Sequence, residues 1–291
     1  MKTLFATSLL LAALSMTACQ DDLNIVDGLS DKTTTKKFNF TVKGSFSDTW
    51  KSVTRGTLAT NEDEITDLWV LDYQNGALAQ QLHQRSSDYD FGNPSLNLTI
   101  GNHHIYFIAS SGTSPVLSIS DHNIVWEKVG DTFYKDLSLI VEATSNSSRT
   151  VTLDRSVTKL KLTIADAVKE GTATFLVVPH TWYYGIDFFT GRPTALKTDK
   201  TIYVDCAPSS IGQTNTEVSV FGFSSTTEWT NDITFYASDG TYSLAKADIK
   251  KAPFKRNRAT EYTGPLFYTE GSMDFTFTFN DEWDESETGS W

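Results

Sequence analysis

The sequence predicts an all-β protein of mostly antiparallel strands arranged as β-sandwiches, and three observations lead to this fold class. Apolar residues recur at every second position in many short runs, which is the spacing of a half-buried strand. Turn residues such as Asn-Gly and Asp-Gly separate these runs at fairly even intervals. Helix signals are sparse, although residues 118–125 and 245–251 could each form a single helical turn.

The first 18 residues are typical of a targeting signal rather than of a folded segment. Lys2 supplies a positive charge, and residues 4–14 form an apolar stretch shorter than the roughly 20 residues that span a bilayer. Small residues then lead to Cys19, as a lipoprotein signal peptidase requires. We therefore expect residues 1–18 to be a lipoprotein signal peptide and Cys19 to carry the acyl chains, such as palmitate, that anchor the mature protein. An ordinary secretory peptide with an incidental Cys is the alternative interpretation.

Residues 19–36 are predicted to be a tether, because they are polar and lack strand or helix periodicity. The tether begins with Gln20, Asp21 and Asp22 directly after the lipidated Cys. This short motif resembles the acidic signal that sends lipoproteins of the Bacteroidetes to the outer face of the outer membrane. The expected location is therefore the cell surface, although a plain polar linker would look the same.

Charge and cysteine content exclude some classes of protein. The formal net charge of −12 becomes −13 when residues 1–18, which contain one Lys, are removed. An acidic chain repels phosphate backbones, so nucleic-acid binding is not expected. Only two Cys are present, and with Cys19 lipidated Cys206 has no partner for a disulfide. Stability must then come from buried cores, and the chain is long enough for about two domains of roughly 100–200 residues.

Residues 37–148 are predicted to form an N-terminal β-sandwich domain. In its first strand, residues 37–46, Phe38, Phe40 and Val42 alternate with polar residues. An Asn75-Gly76 pair between two strand-like runs predicts a hairpin. The predicted strands after the first are residues 65–73, 77–84, 96–100, 104–110 and 137–143.

Residues 149–280 are predicted to form a second β-sandwich, separated from the first by the polar turn at residues 144–149. Its last strand alternates Phe275, Phe277 and Phe279 with polar residues, and residues 281–291 form an acidic tail. The other predicted strands are residues 150–153, 157–164, 175–179, 201–204, 218–223, 233–237, 242–245 and 258–267.

The sequence contains no motif that points to catalysis, and we predict that the protein is not an enzyme and binds no metal or cofactor. It has no HExxH, GxSxG or phosphate-binding glycine loop. His103 and His104 should point to opposite faces of a strand, as a turn residue and a surface residue rather than a ligand pair. Cys206 is expected to be a small core residue. The aromatic run 182–184 could stack on a sugar, but core packing or a partner interface is the expected role.

Three features resemble the fimbrillins of the Bacteroidales, the subunits of the major and minor fimbriae and their fimbrillin-like relatives. The first is the lipidation site Cys19 with its acidic follow-on. The second is an alternating first strand, then a polar loop containing Arg55 and Gly56, then a strand that begins Ile-Thr-Asp-Leu. The third is the alternating last strand, which leads to Trp283 and a short tail ending in Trp291.

The resemblance implies two transthyretin-like β-sandwich domains and a structural role in a cell-surface fimbrium that supports adhesion. A trypsin-like protease would cut between Arg55 and Gly56, removing the lipid together with the strand that carries Phe38, Phe40 and Val42. A strand of another fimbrial subunit would then fill the groove by β-augmentation. Candidate donor residues are Phe275, Phe277, Phe279, Trp283 and Trp291. The implied partners are other fimbrial subunits, outer-membrane lipid through Cys19 before processing, and a host or bacterial surface receptor.

Two alternatives remain open from the sequence. The chain is shorter than a typical major stalk subunit, and its tail after Trp283 is acidic and poor in apolar residues. A tip, accessory or anchor subunit would fit these departures. The second alternative is a monomeric surface lipoprotein that binds glycan or host protein and keeps residues 37–46 as a permanent strand.

Overall fold

The structure, a computed structural model, describes residues 35–44, 65–267 and 276–280, the last as backbone only. All described residues belong to one compact unit that begins at Thr34. Nearly all regular structure within them is β-strand, with one short 3-10 helix at Pro208–Ser210. The prediction of an all-β, sandwich-type fold is confirmed. The described part of the chain contains no helix with the length and apolar character of a membrane span.

Seven strands form the first sheet, in the order β3-β2-β5-β8-β9-β1-β4. Their bounds are Thr35–Gly44 (β1), Asp67–Gln74 (β2), Ala77–Arg85 (β3), Ser95–Thr99 (β4), Gly101–Ser110 (β5), Thr132–Val141 (β8) and Ser148–Arg155 (β9). Strands β8 and β9 share only two residue pairs, so the sheet folds over between them. The layers β3-β2-β5-β8 and β9-β1-β4 therefore face each other across one apolar core.

The remaining strands form an eight-stranded sheet, β19-β18-β10-β15-β12-β7-β6 with β13 paired to β12, and a four-stranded sheet, β14-β11-β16-β17. The bounds are Val116–Ser118 (β6), Asn123–Val125 (β7), Val157–Ile164 (β10), Thr174–Pro179 (β11), Thr181–Asp187 (β12), Arg192–Thr198 (β13), Ile202–Asp205 (β14), Thr216–Phe223 (β15), Trp229–Ser238 (β16), Ser243–Phe254 (β17), Ala259–Gly264 (β18) and Thr276–Asn280 (β19). A second, larger apolar cluster is formed mainly by these strands.

The same strand topology occurs twice along the chain. Strand β1 pairs antiparallel with β4 and parallel with β9, and β10 pairs in the same way with β15 and β18. In the facing layers, the order β3-β2-β5-β8 corresponds to β14-β11-β16-β17. All other strand pairings among the described residues are antiparallel. In each copy of the motif, the first strand, β1 or β10, thus pairs in parallel with the last strand, β9 or β18.

A buried ion pair lies where the chain passes from the first sheet to the second. Arg155 ends β9 and Val157 begins β10, so the sheets change at Ser156. The Arg155 Nε–H and Nη2–H groups donate to the two carboxylate oxygens of Asp131, each at 2.7 Å. Both side chains are almost completely buried, and the guanidinium also lies 4.8 Å from the centre of the Phe133 ring. The division into two domains at residues 148 and 149 stays a prediction.

Two secondary-structure expectations are wrong. Residues 245–251 form part of β17 rather than a helical turn, because the alternating sequence turns Ala247 and Ile249 toward the core beside β16. Residues 118–125 contain the end of β6, a turn and β7, and β7 joins the sheet by pairing with β12. The hairpin of β12 and β13 has no counterpart among the predicted strands. In the first two cases, pairing with a strand outside the segment, β16 or β12, outweighs weak local signals.

Candidate functional site

The candidate site is strand β1 together with the groove that holds it. Residues Thr35–Asn39 pair with β4, and residues Asn39–Gly44 pair in parallel with β9. Strand β1 is thus an inner strand with a partner on each side. It is also the only described segment before Ile65, so its sequence neighbours on both sides lie outside the described residues.

The side chains of β1 alternate between core and surface, as the sequence predicts. Phe38, Phe40 and Val42 are 0%, 1% and 4% exposed. The Phe40 ring lies 6.3 Å from the Phe38 ring, and it meets Phe107 of the facing layer edge-on at 5.4 Å. The groove around this row is lined by apolar residues of the same cluster, including Leu96, Leu98, Ile105, Leu139, Val141, Val151 and Leu153.

Strand β1 also forms hydrogen bonds to residues outside its two paired strands. The backbone N–H of Phe40 donates to the Pro94 carbonyl at 2.9 Å, and that of Val42 donates to the Gly92 carbonyl at 2.8 Å. The Lys36 ammonium donates to the backbone carbonyls of Ala143, at 3.1 Å, and Ser145. A strand that fits the groove therefore needs three features. Its backbone must offer hydrogen-bonding groups at these positions, its side chains must alternate between apolar and polar, and a cation must stand at the position of Lys36.

A buried acid–imidazole pair lies at one end of the groove, where β4 turns into β5. Asp72 and His103 are 0% and 1% exposed, and Asp72 Oδ1 lies 2.8 Å from His103 Nδ1. His103 Nε2–H donates to the Thr99 carbonyl at 2.9 Å, so the imidazole ties β5 to β4. Burial raises the pKa of the Asp72 carboxyl, and the His103 contact opposes this shift. His103 was expected at a turn or on the surface and is instead in the core, whereas His104 is exposed on the opposite face as expected.

A groove of about 660 Å³ with both polar and apolar lining residues lies beside the edge strand β3. In its wall the His83 ring stacks on Trp69 at 4.7 Å with an interplanar angle of 8°. His83 Nε2 lies 2.7 Å from a carboxylate oxygen of Asp67, and the other oxygen accepts a hydrogen bond from Thr66. Arg85 and several serines complete the lining. The side chains of His83, Asp67 and Arg85, together with the serine hydroxyls, can hydrogen-bond a polar ligand, whereas Trp69 is buried behind His83.

The other residues singled out in the sequence lie in the core or outside the described part. Trp182 and Tyr184 are buried in β12, so neither presents its ring to a sugar, and burial raises the pKa of Tyr184 to about 12. Cys206 is a buried free thiol whose pKa is raised by desolvation, as expected of a core residue. Within the described residues, no three His, Cys, Asp or Glu side chains are placed to hold a metal ion.

Six of the predicted site residues cannot be placed. Cys19, Arg55, Phe275, Trp283 and Trp291 lie outside the described residues, as does Gly56. Phe277 and Phe279 fall in β19, where their backbone positions pair with Tyr262 and Thr260 of β18. The pairing places the alternating C-terminal strand at the margin of the eight-stranded sheet.

No family model matches the sequence, and no curated protein matches it. Solved structures do resemble it in three dimensions. A candidate cell adhesion protein of Bacteroides uniformis aligns with a TM-score of 0.51 and 11% identity, over 84% of this chain and 98% of that one. The C-terminally truncated tip fimbrial protein Mfa3 of Porphyromonas gingivalis aligns with a TM-score of 0.46 and 12% identity, over 84% and 99% of the two chains. A fimbrial assembly protein of Parabacteroides distasonis aligns with a TM-score of 0.45 and 9% identity, over 85% and 99%. The first of these likenesses shows that the chain shares the fold of the Bacteroides uniformis protein.

Proposed function

We propose that this chain is a structural subunit of a cell-surface fimbrium and that it is assembled by strand exchange at the position of β1. The observation that carries the proposal is the position of β1 in the sheet. The strand lies between two partner strands and buries three apolar side chains. The shared fold with a candidate cell adhesion protein supports the same surface role. The chain has no catalysis of its own in this proposal.

The energy of the exchange follows from the buried row. Burying Phe38, Phe40 and Val42 contributes about 1.5–3 kcal/mol each, or about 5–9 kcal/mol in total, before the cost of ordering the strand. An incoming strand with a similar apolar row recovers this energy and pairs with the ladder groups of β4 and β9. Removal of β1 by cleavage after Arg55 therefore leaves a groove with a strong preference for a new strand.

In the proposed assembly sequence, the protein is first anchored to the outer membrane. Acylated Cys19 holds the subunit on the cell surface, and cleavage between Arg55 and Gly56 then releases the lipid together with β1. The partner strand comes from another fimbrial subunit, and the corresponding donor of this chain is sought among Phe275, Phe277, Phe279, Trp283 and Trp291. Contact with a host or bacterial surface receptor follows once the subunit is in the fibre.

The test compares Arg55→Ala with Lys51→Ala, which removes a cation four residues earlier in the sequence and leaves the Arg site. Arg55→Ala protein should stay lipidated and monomeric at the cell surface, whereas Lys51→Ala protein should polymerise like wild type. The readout is the ladder of polymers in sheared surface material on a gel without boiling. Normal polymerisation of Arg55→Ala protein would overturn the proposal.

A second candidate function is favoured by the groove beside β3. His83, which is supported from behind by Trp69, together with Asp67 and Arg85 suits a glycan or a polar segment of a host protein. In that case the chain is a monomeric surface lipoprotein, and β1 is never removed.

The acidic tail at residues 281–291, which is poor in apolar residues, instead favours a tip or anchor subunit within the fimbrial proposal. The N-terminal residue of the surface protein separates a monomeric binder from a processed subunit.

A further inference from the structure

Strand β4 forms one wall of the groove. Among the described residues it has only β1 as a neighbouring strand, since it stands at the end of the seven-stranded sheet. A strand in this position would lose its only ladder partner when β1 leaves. Without a paired neighbour, the five residues Ser95–Thr99 are not held in place by backbone structure alone. Side chains of the opposite layer hold it instead.

Two glutamines on the inner face of β3 make paired hydrogen bonds to this wall, Gln80 to β4 itself and Gln84 to residues 90–92, which lead into β4. Gln80 Nε2–H donates to the Asn97 carbonyl, and the Asn97 N–H donates to Gln80 Oε1 at 3.2 Å. Gln84 Nε2–H donates to the Asp90 carbonyl at 3.0 Å, and the Gly92 N–H donates to Gln84 Oε1 at 3.2 Å. Each side-chain amide thus offers the wall a donor and an acceptor, as a residue of a neighbouring strand would.

The same edge is covered at its far end. His103 Nε2–H donates to the Thr99 carbonyl at 2.9 Å, and the Thr99 hydroxyl donates to Gln74 Oε1 at 2.7 Å. Outward-facing groups of Gly92, Asn97 and Thr99 are therefore engaged by the opposite layer. Meanwhile the Gly92 and Pro94 carbonyls face the other way and accept from β1.

We propose that Gln80 and Gln84 are positioning residues for strand exchange: they keep β4 in place when β1 leaves and close its outer edge to strand addition. This inference rests on the proposed function. The opposite wall, β9, has its own fixed point, because the buried Arg155–Asp131 ion pair holds its end. With both walls fixed, the groove is pre-organised, and a donor strand enters only between β4 and β9.

The experiment uses the full chain, cut after Arg55 by an Arg-specific protease and checked by mass. The released N-terminal fragment that carries β1 is removed from the cut chain. Binding of a fluorescent synthetic peptide with the sequence of residues 35–44 to the empty groove is then followed by anisotropy. Gln80→Met keeps the length of the side chain and removes the amide, and Gln81→Met is the matched control on the exposed face of β3. Losing two hydrogen bonds of ordinary strength should weaken peptide binding about tenfold in Gln80→Met and leave Gln81→Met unchanged.

Hydrogen exchange at the Asn97 amide provides a second readout in the same cut protein. The amide should exchange faster in Gln80→Met than in Gln81→Met once β1 has been displaced. If wild type and Gln80→Met bind the peptide equally well, the role of the glutamines is refuted while strand exchange stands. If the cut wild-type chain takes up no peptide, strand exchange itself is refuted, and this inference falls with it.

Discussion

Truncation of Phe40 should release β1 from its groove. The side chain is 1% exposed and contacts Phe38 along the strand and Phe107 across the core, so it joins the two layers of the sandwich. Phe40→Ala removes a buried ring and leaves a cavity, and such changes cost about 3–5 kcal/mol. This is a large share of the roughly 5–15 kcal/mol by which a domain is stable.

The free energy of unfolding from urea titration of the mature, unprocessed chain measures this cost. Thr41→Ala is the control, because Thr41 is the neighbouring residue on the exposed face of the same strand. The control should change the free energy of unfolding by no more than about 0.5 kcal/mol. A cost below about 1 kcal/mol for Phe40→Ala, or an equal cost for Thr41→Ala, would contradict the burial of β1 on which the account depends.

Three further predictions concern the anchor, the junction and pH. Cys19→Ala should abolish labelling by a palmitate analogue and release the protein from the membrane fraction, and retention with label would refute lipidation at this residue. Asp131→Ala leaves the buried Arg155 guanidinium without its carboxylate and should cost about 3–5 kcal/mol in urea unfolding, against about 0–1 kcal/mol for Asp154→Ala in an exposed pair. Burial raises the pKa of Tyr184 to about 12, so its contribution to stability is complete below pH 10 and is lost as the pH rises toward 12. Tyr184→Phe should therefore flatten the alkaline decline of the urea midpoint, with little change at pH 7, because the hydroxyl has no hydrogen-bond partner among the described residues.

Much of the fold was predictable because strand periodicity and turn chemistry are local. Asn75 and Gly76 adopt the positive φ values of 52° and 78° that a tight hairpin between β2 and β3 requires. The errors occur where tertiary pairing decides. The Ala- and Lys-rich segment 245–251 has weak strand propensity, yet pairing with β16 makes it part of β17. The parallel pairing of β1 with β9 joins residues more than 100 positions apart, and no local pattern encodes it.

The sequence predicted strand β1 of the candidate site, but it did not predict the residues that hold the surrounding groove together. Phe38, Phe40 and Val42 stand out by alternation, and their burial follows from it. Gln80 and Gln84 look like ordinary surface residues in sequence, because their role depends on a backbone edge in the opposite layer. His103 likewise has no local signal of burial, since its partners Asp72 and Thr99 come from two other strands. One signal could have indicated the edge-closing role of the glutamines. The inner face of the edge strand β3 carries polar Gln80 and Gln84 in alternation with apolar residues, where a purely apolar face would be usual.

The N-terminal sequence and mass of protein sheared from the cell surface distinguish strand exchange from a permanently retained β1. Strand exchange predicts polymeric material that begins at Gly56 and lacks both the acylated Cys19 and the strand that carries Phe38, Phe40 and Val42. Surface protein that is wholly monomeric, begins at acylated Cys19 and retains residues 35–44 would contradict strand exchange.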